Sequence, residues 1–112
     1  MSAGDKPLVW LHGEIKSPPL SREARTEVGY LLRRLQRGET LSMPYSQPMP
    51  RLGKRCHEVR VIDAHANWRI IYRLDFDGIV IAEVFANKTV TTPRLVIETC
   101  QRRLKEYDDA SR

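Results

Sequence analysis

The stretch Cys56–Arg73, CHEVRVIDAHANWRIIYR, constrains this chain more than any other. It reads as two strands and a short connection. In the first strand Val59 and Val61 share one face, and Glu58 and Arg60 share the other. In the second, Trp68, Ile70, Tyr72 and Leu74 lie on one face, while Arg69, Ile71 and Arg73 lie on the opposite one. Neighbouring strands of this kind are half-buried antiparallel partners, and their second face carries guanidinium groups with one carboxylate. Such a face suits phosphate.

Asp77-Gly78 then marks a turn, and Gly78–Ala86 (GIVIAEVFA) follows as the strongest strand. Val80, Ala82 and Val84 alternate there with Ile79, Ile81, Glu83 and Phe85. Both faces are largely apolar, as expected of an internal strand covered on both sides.

Two helices flank this meander. Ser21 is placed as an N-cap, with Glu23 in the first turn. Ala24, Val28, Leu31, Leu32 and Leu35 form one apolar stripe, and Gly38 stands where the helix should stop. Arg22, Arg25, Arg33, Arg34 and Arg37 occupy much of the remaining surface. That basic face is either simply solvated or set against RNA backbone or an acidic partner. Thr92-Pro93 opens the second helix, with Thr92 as N-cap and Pro93 as first residue. Val96, Ile97, Cys100, Leu104 and Tyr107 form its packing stripe, and Arg102, Arg103 and Lys105 its solvated side.

Leu8–His12 (LVWLH) suits a first strand or a buried loop, and Pro18-Pro19 keep the next residues irregular. Between the first helix and the meander, Pro44, Pro48 and Pro50 argue for a long irregular connection. It carries Tyr45 and ends in Arg51, Lys54 and Arg55, a combination that suits single-stranded RNA or, equally, packing across a sheet edge. Strand, helix, long loop, three-stranded meander and helix predict an α+β domain with a mainly antiparallel, twisted sheet of about four strands. One domain covers 1–112, with 1–7 and 108–112 expected to fray.

Nineteen Lys and Arg against fourteen Asp and Glu give a net charge of +5, which favours an anionic partner, nucleic acid above all. No apolar run approaches the ~18 residues of a transmembrane helix, so no membrane is expected. Cys56 and Cys100 have neither metal-ligand spacing nor the look of a disulfide framework, which suggests a reducing cytoplasm. His12, His57 and His65 are scattered, so no metal is expected, and the lack of a glycine-rich phosphate loop argues against a nucleotide cofactor.

Cleavage of RNA without a metal asks for less. The ribose 2′-hydroxyl is already at hand, so a protein must align it, stabilise the added charge and move two protons. Arg60, Arg69, Arg73 and Lys88 are candidates for the charge clamp. Glu58 or His57 is the candidate base, on opposite faces of a regular strand. Glu58 is preferred because it shares a face with Arg60, and its alternative role is a salt bridge to those arginines. Tyr45, Arg51, Lys54, Arg55, Arg73 and Phe85 complete an expected RNA-binding set.

KPLVWLHGEIKSPPLSREAR, MPYSQPMPRLGKRCHEVRV, WRIIYR and EVFANKTVTTP, in that order, resemble the phage-derived branch of the RelE/HigB-type toxins. The resemblance runs from about Lys6 to Tyr107. It implies a small RelE-like domain that enters the ribosomal A site and cuts mRNA there without a cofactor. It also implies a cognate helix-turn-helix antitoxin, through which alone operator DNA would be met. By the resemblance Arg69 and Lys88 match catalytic basic positions, and Arg60 matches less cleanly. Asn87 stands where relatives often carry a second lysine, and Tyr107 lies far along a helix rather than at a closing Tyr or His. The expectation is therefore a ribosome-associated mRNA endoribonuclease toxin of a type II toxin–antitoxin pair. The alternatives are a non-catalytic RNA- or ribosome-binding module and an interaction protein that docks an antitoxin.

Overall fold

The computed structural model describes residues 5–11, 19–64, 66–86 and 91–111. In chain order these residues form β1 (Leu8–Trp10), α1 (Arg22–Gln36), β2 (Ser46–Pro48), β3 (Cys56–Ile62), β4 (Asn67–Asp75), β5 (Gly78–Ala86) and α2 (Arg94–Ala110). The strands make one sheet in the order β1-β5-β4-β3-β2. The α+β class holds, with five strands rather than about four. The extra strand is β2, three residues of the long connection that pair antiparallel with His57–Val59. Its Pro48 sits on the sheet edge, where a missing N–H costs no ladder bond. The other neighbours from β3 to β5 are antiparallel, and only β1 runs parallel to its partner, β5.

Helix α1 is bounded by local chemistry at both ends. The Ser21 hydroxyl accepts from the Ala24 amide at 3.0 Å. At the other end Gly38, at φ +91°, donates to the Leu35 carbonyl, and Glu39 donates to that of Arg34. This is a Schellman closure, which needs a residue tolerant of positive φ. All five residues of the predicted stripe are buried. They pack on the sheet face formed by Val59, Val61, Ile70, Tyr72, Ile79 and Ile81. The second face carries Cys56, Ile71, Val80 and Ala82 and receives Ile97, Cys100 and Leu104 of α2. Burial of this much apolar side chain, at about 25 cal/mol per Å², is the main favourable contribution to folding.

Three expectations about these elements change. Strict alternation in β5 fails, because the register slips between Ile71 and Tyr72: Tyr72 pairs with Ile81, and Ile71 with Glu83. The unpaired Ala82 moves Glu83 and Phe85 to the α2 face and Val84 to the α1 face. Arg103 does not belong to a solvated side. Its guanidinium donates to the Ala82 carbonyl at 2.9 Å and pairs with Glu83 at 3.2 Å. Pro93, not Thr92, occupies the cap position of α2, and Val96 and Ile97 donate to its carbonyl.

The described part of the N-terminal segment and residue Asp108 are tied down rather than frayed. Asp5 pairs with Arg33 at 2.8 Å, and Lys6 donates through Nζ to the Asp75 carbonyl at 2.9 Å. The Asp75–Gly78 turn itself uses Phe76 and Asp77 at its centre, with Gly78 already paired to Asp75. A Cβ on Gly78 would lie 3.4 Å from both the Pro7 carbonyl oxygen and a Val9 methyl, so glycine lets β1 approach. Among the described residues no helix is long and apolar enough to cross a membrane.

Candidate functional site

Glu58 is the centre of the most unusual polar cluster in the molecule, for it is a carboxylate with no exposure at all. Burying that charge is affordable only with full pairing. Its Oε1 accepts from Arg69 at 2.8 Å, from Arg60 Nε at 3.1 Å and from Gln47 Nε2 at 3.2 Å. The Thr92 hydroxyl donates to Oε2 at 3.0 Å. With no exposure, a carboxylate so engaged is closed to bulk solvent. Its geometry is that of an anchor for two guanidinium groups, the salt-bridge role.

Sheet register creates this cluster. Arg60 and Arg69 are directly opposed in the β3–β4 ladder, and Phe85 lies opposite Arg69 on the other side. Gln47, opposite Glu58, comes from β2, and Thr92 comes from the segment leading into α2. Neither was among the expected site residues. No local pattern announces them, since each is brought in by a strand pairing or a helix docking.

Just before β2 the chain still follows the edge of β3, where the Arg60 amide donates to the Tyr45 carbonyl at 2.9 Å. A cavity of about 380 Å³ lies here. Arg60 and Arg69 contribute its basic side, and Met43, Pro44, Tyr45 and Ile62 its apolar walls. Glu27 of α1 and Asn67 of β4 add polar groups. Arg69 is only 5% exposed, whereas the Arg60 side chain keeps 28% of its surface. Arg69 is thus held by the fold, and Arg60 is the more accessible cation.

The other expected residues lie elsewhere. His57 falls on the opposite face from Glu58, stacked on Tyr72 with ring centroids 5.5 Å apart. It cannot share a reaction centre with the Glu58 cluster without crossing the sheet. Arg73 is opposite Cys56, four residues or about 13 Å along the ladder from the Arg60–Arg69 pair. There Nε and Nη2 bind the Asp75 carboxylate at 2.7 and 2.9 Å, and Asp108 of α2 accepts from both terminal nitrogens. Asp108 first, and then Asp75, raise its already high pKa, so Arg73 is a structural cation. Arg55 joins the same network through Asp75 at 3.1 Å, and Arg51 lines a cavity beside Arg73 and Asp108. Lys54 is exposed on the connection between them. Lys88, Asn87, His12 and His65 lie outside the described residues.

Both thiols are free and buried. Burial pushes Cys100 up to about 12, and burial likewise raises Cys56 in spite of the neighbouring Arg73. Among the described residues no three His, Cys, Asp or Glu side chains are grouped to hold a metal ion.

The chain matches the family model described as phage derived protein Gp49-like (DUF891) over residues 18–105, more than half of its length. No curated protein matches it. The matched span begins before α1, includes the whole Glu58 cluster and ends within α2. On that match the chain belongs to the Gp49-like family of phage-derived proteins, which are toxin–antitoxin toxins of RelE-like type and act opposite an antitoxin.

Proposed function

We propose that this toxin, of the HigB-like branch, is a cytoplasmic endoribonuclease that cuts mRNA in the ribosomal A site and is neutralised by a helix-turn-helix antitoxin. Operator DNA is met only through that antitoxin. The supporting observation is the opposed pair Arg60 and Arg69, aligned by one buried carboxylate at the mouth of a cavity that also holds Tyr45.

In this reading the 2′-oxygen attacks phosphorus and the P–O5′ bond breaks. A 2′,3′-cyclic phosphate and a 5′-hydroxyl remain, with one proton leaving O2′ and one delivered to O5′. Arg60 and Arg69 face the charge that builds on the non-bridging oxygens, already oriented and therefore without reorganisation cost. Glu58 positions them. Lys88, two residues beyond β5 in the sequence, is the proposed further cation and proton mover, on the strength of the family resemblance. Tyr45, Phe85 and the basic connection Arg51, Lys54 and Arg55 are proposed to bind flanking RNA. Arg73 is left out of this surface, because its donors are spent on Asp75 and Asp108.

The test is induction of the full chain in bacteria, with growth followed and primer extension run on an abundant mRNA. Wild type should arrest growth and create 5′ ends inside the reading frame. Arg60→Ala and Arg69→Lys should abolish both while remaining folded by circular dichroism; Arg69→Lys is chosen because alanine would leave Glu58 buried beside an empty site. Intact mRNA and normal growth with folded wild type would overturn the nuclease and favour an RNA- or ribosome-binding module.

A further inference from the structure

Three of the large apolar side chains most exposed to solvent meet at one place. Met43 is 60% exposed, Tyr45 46% and Ile62 82%, and all three line the cavity beside Arg60 and Arg69. An apolar, aromatic wall next to two fixed guanidinium groups is complementary to a ligand that is flat at one end and anionic at the other. Tyr45 is not a loose loop residue. Its carbonyl is bound by the Arg60 amide, its own amide donates to the Ser42 carbonyl at 3.0 Å, and the next residue, Ser46, shares a 2.8 Å hydrogen bond with the Tyr72 hydroxyl. Glu27 and Asn67, which also line the cavity, have no side-chain partner among the described residues.

We propose that this cavity is a nucleobase subsite, which takes one unstacked RNA base against Tyr45 while Arg60 and Arg69 hold the adjoining phosphate. The assignment rests on the reading of the protein as an RNA-cleaving toxin and adds what that reading lacks, a place for the base. A single base is sequence-tolerant on an aromatic face, so stacking alone gives no choice. Choice comes from the polar groups. The Glu27 carboxylate only accepts hydrogen bonds, and Asn67 both donates and accepts. Guanine, adenine and cytosine offer an amino group to Glu27, whereas uracil places carbonyl oxygens on both sides of its single N–H and repels it. The subsite therefore prefers an amino-bearing base over uracil.

The experiment is an NMR titration of the full chain with trinucleotides of 2′-deoxy backbone, uncleavable for lack of the attacking hydroxyl, whose central base is guanine, adenine, cytosine or uracil. Amide shifts at Tyr45, Ile62 and Asn67 should follow binding, with the amino-bearing bases preferred about ten-fold. Tyr45→Ala should weaken all four about ten-fold and Tyr45→Trp should restore them. Glu27→Ala should erase the preference without a change in fold, since Glu27 is exposed on α1. Absence of shifts at these residues, or an unchanged preference in Glu27→Ala, would overturn the subsite even if induced cells show cleavage that depends on Arg60. Base-selective binding with intact mRNA would sustain the subsite and overturn only the nuclease. If Tyr45→Ala and Glu27→Ala instead abolish neutralisation by the antitoxin and leave trinucleotide binding untouched, the cavity is a protein-docking surface and the proposal fails.

Discussion

Arg60 and Arg69 face each other across the β3–β4 ladder and donate to the same oxygen of Glu58, at 3.1 and 2.8 Å. Two like charges this close are mutually unfavourable, and the shared carboxylate is what makes the arrangement tolerable.

The first prediction follows from that dependence. Glu58→Ala leaves two cations facing each other, one of them almost wholly buried, and should cost about 3–5 kcal/mol of folding free energy. Glu58→Gln, which keeps one acceptor oxygen but not the charge, should cost less. Urea unfolding of the three proteins measures both. A wild-type midpoint for Glu58→Ala would mean that the cluster contributes nothing to the fold.

A second anchor sits at the far end of the same strands. Arg73→Met removes the cation that joins Asp75 to Asp108 and should destabilise by about 3 kcal/mol, because the Asp75 side chain is only 12% exposed. Asp108→Asn should cost under about 1 kcal/mol, since that side chain is 45% exposed and solvent already screens it. Hydrogen exchange in the last turn of α2 should quicken in both. Trinucleotide binding should be unaffected, and a loss specific to Arg73→Met would return this residue to the RNA-binding surface.

The buried thiols and Tyr72 set the alkaline limit of the fold. Burial raises all three above their ordinary values, 9.0 for the thiols and 10.0 for the phenol. Below pH 9 both folded and unfolded chains hold these protons, so stability is flat. Above it the unfolded chain ionises first, and stability falls as pH rises toward the folded values. Urea midpoints from pH 8 to 11 should decline, and Cys100→Ala should show a shallower decline than wild type. Neither thiol should react with a disulfide reagent at pH 7.5 until the protein is unfolded.

The start of α1 is tied to the β3–β4 connection, for the Ser21 amide donates to Asp63 at 2.9 Å. That amide, then the Ser21 hydroxyl, hold the Asp63 carboxyl below its ordinary 3.8. The stabilisation is therefore complete above about pH 4 and is lost as pH falls through the lower, folded value. Ser21→Ala should cost about 1 kcal/mol through the lost cap and should flatten the acid limb of a pH–stability curve. An acid limb identical to wild type would show that the hydroxyl adds nothing to the hold of the Ser21 amide, which alanine keeps.

What the sequence made legible is what neighbours in sequence decide. Helix α1 could be read from Ser21 to Gly38, because the cap, stripe and closing glycine all lie within it. The long strands could be read for the same reason, and the family resemblance led to Arg69. Strand β2 was hidden because Ser46–Pro48 has no pattern of its own and exists by pairing with β3. The slip at Ala82 was hidden because β5 is apolar on both faces, so either phase looks the same. Arg103 read as solvated because the Ala82 carbonyl and the Glu83 carboxylate that draw it inward are both placed by that slip. The salt bridge from Glu58 to the arginines was legible as its alternative role, but the rest of its anchoring was not, because Gln47 and Thr92 lie 11 and 34 residues away in the chain.

The parallel pairing of β1 with β5 has a consequence for how the molecule comes into being. Leu8–Trp10 leave the synthesising ribosome about 70 residues ahead of their hydrogen-bonding partners, Ile79–Ile81. Strand β1 can thus be seated only once β5 exists, and contacts of such long sequence separation close slowly. Meanwhile α1 waits for the same strand, since Ile79 and Ile81 form part of its bed. A chain translated only short of Ile79 therefore has neither a finished edge at β1 nor a fully covered α1.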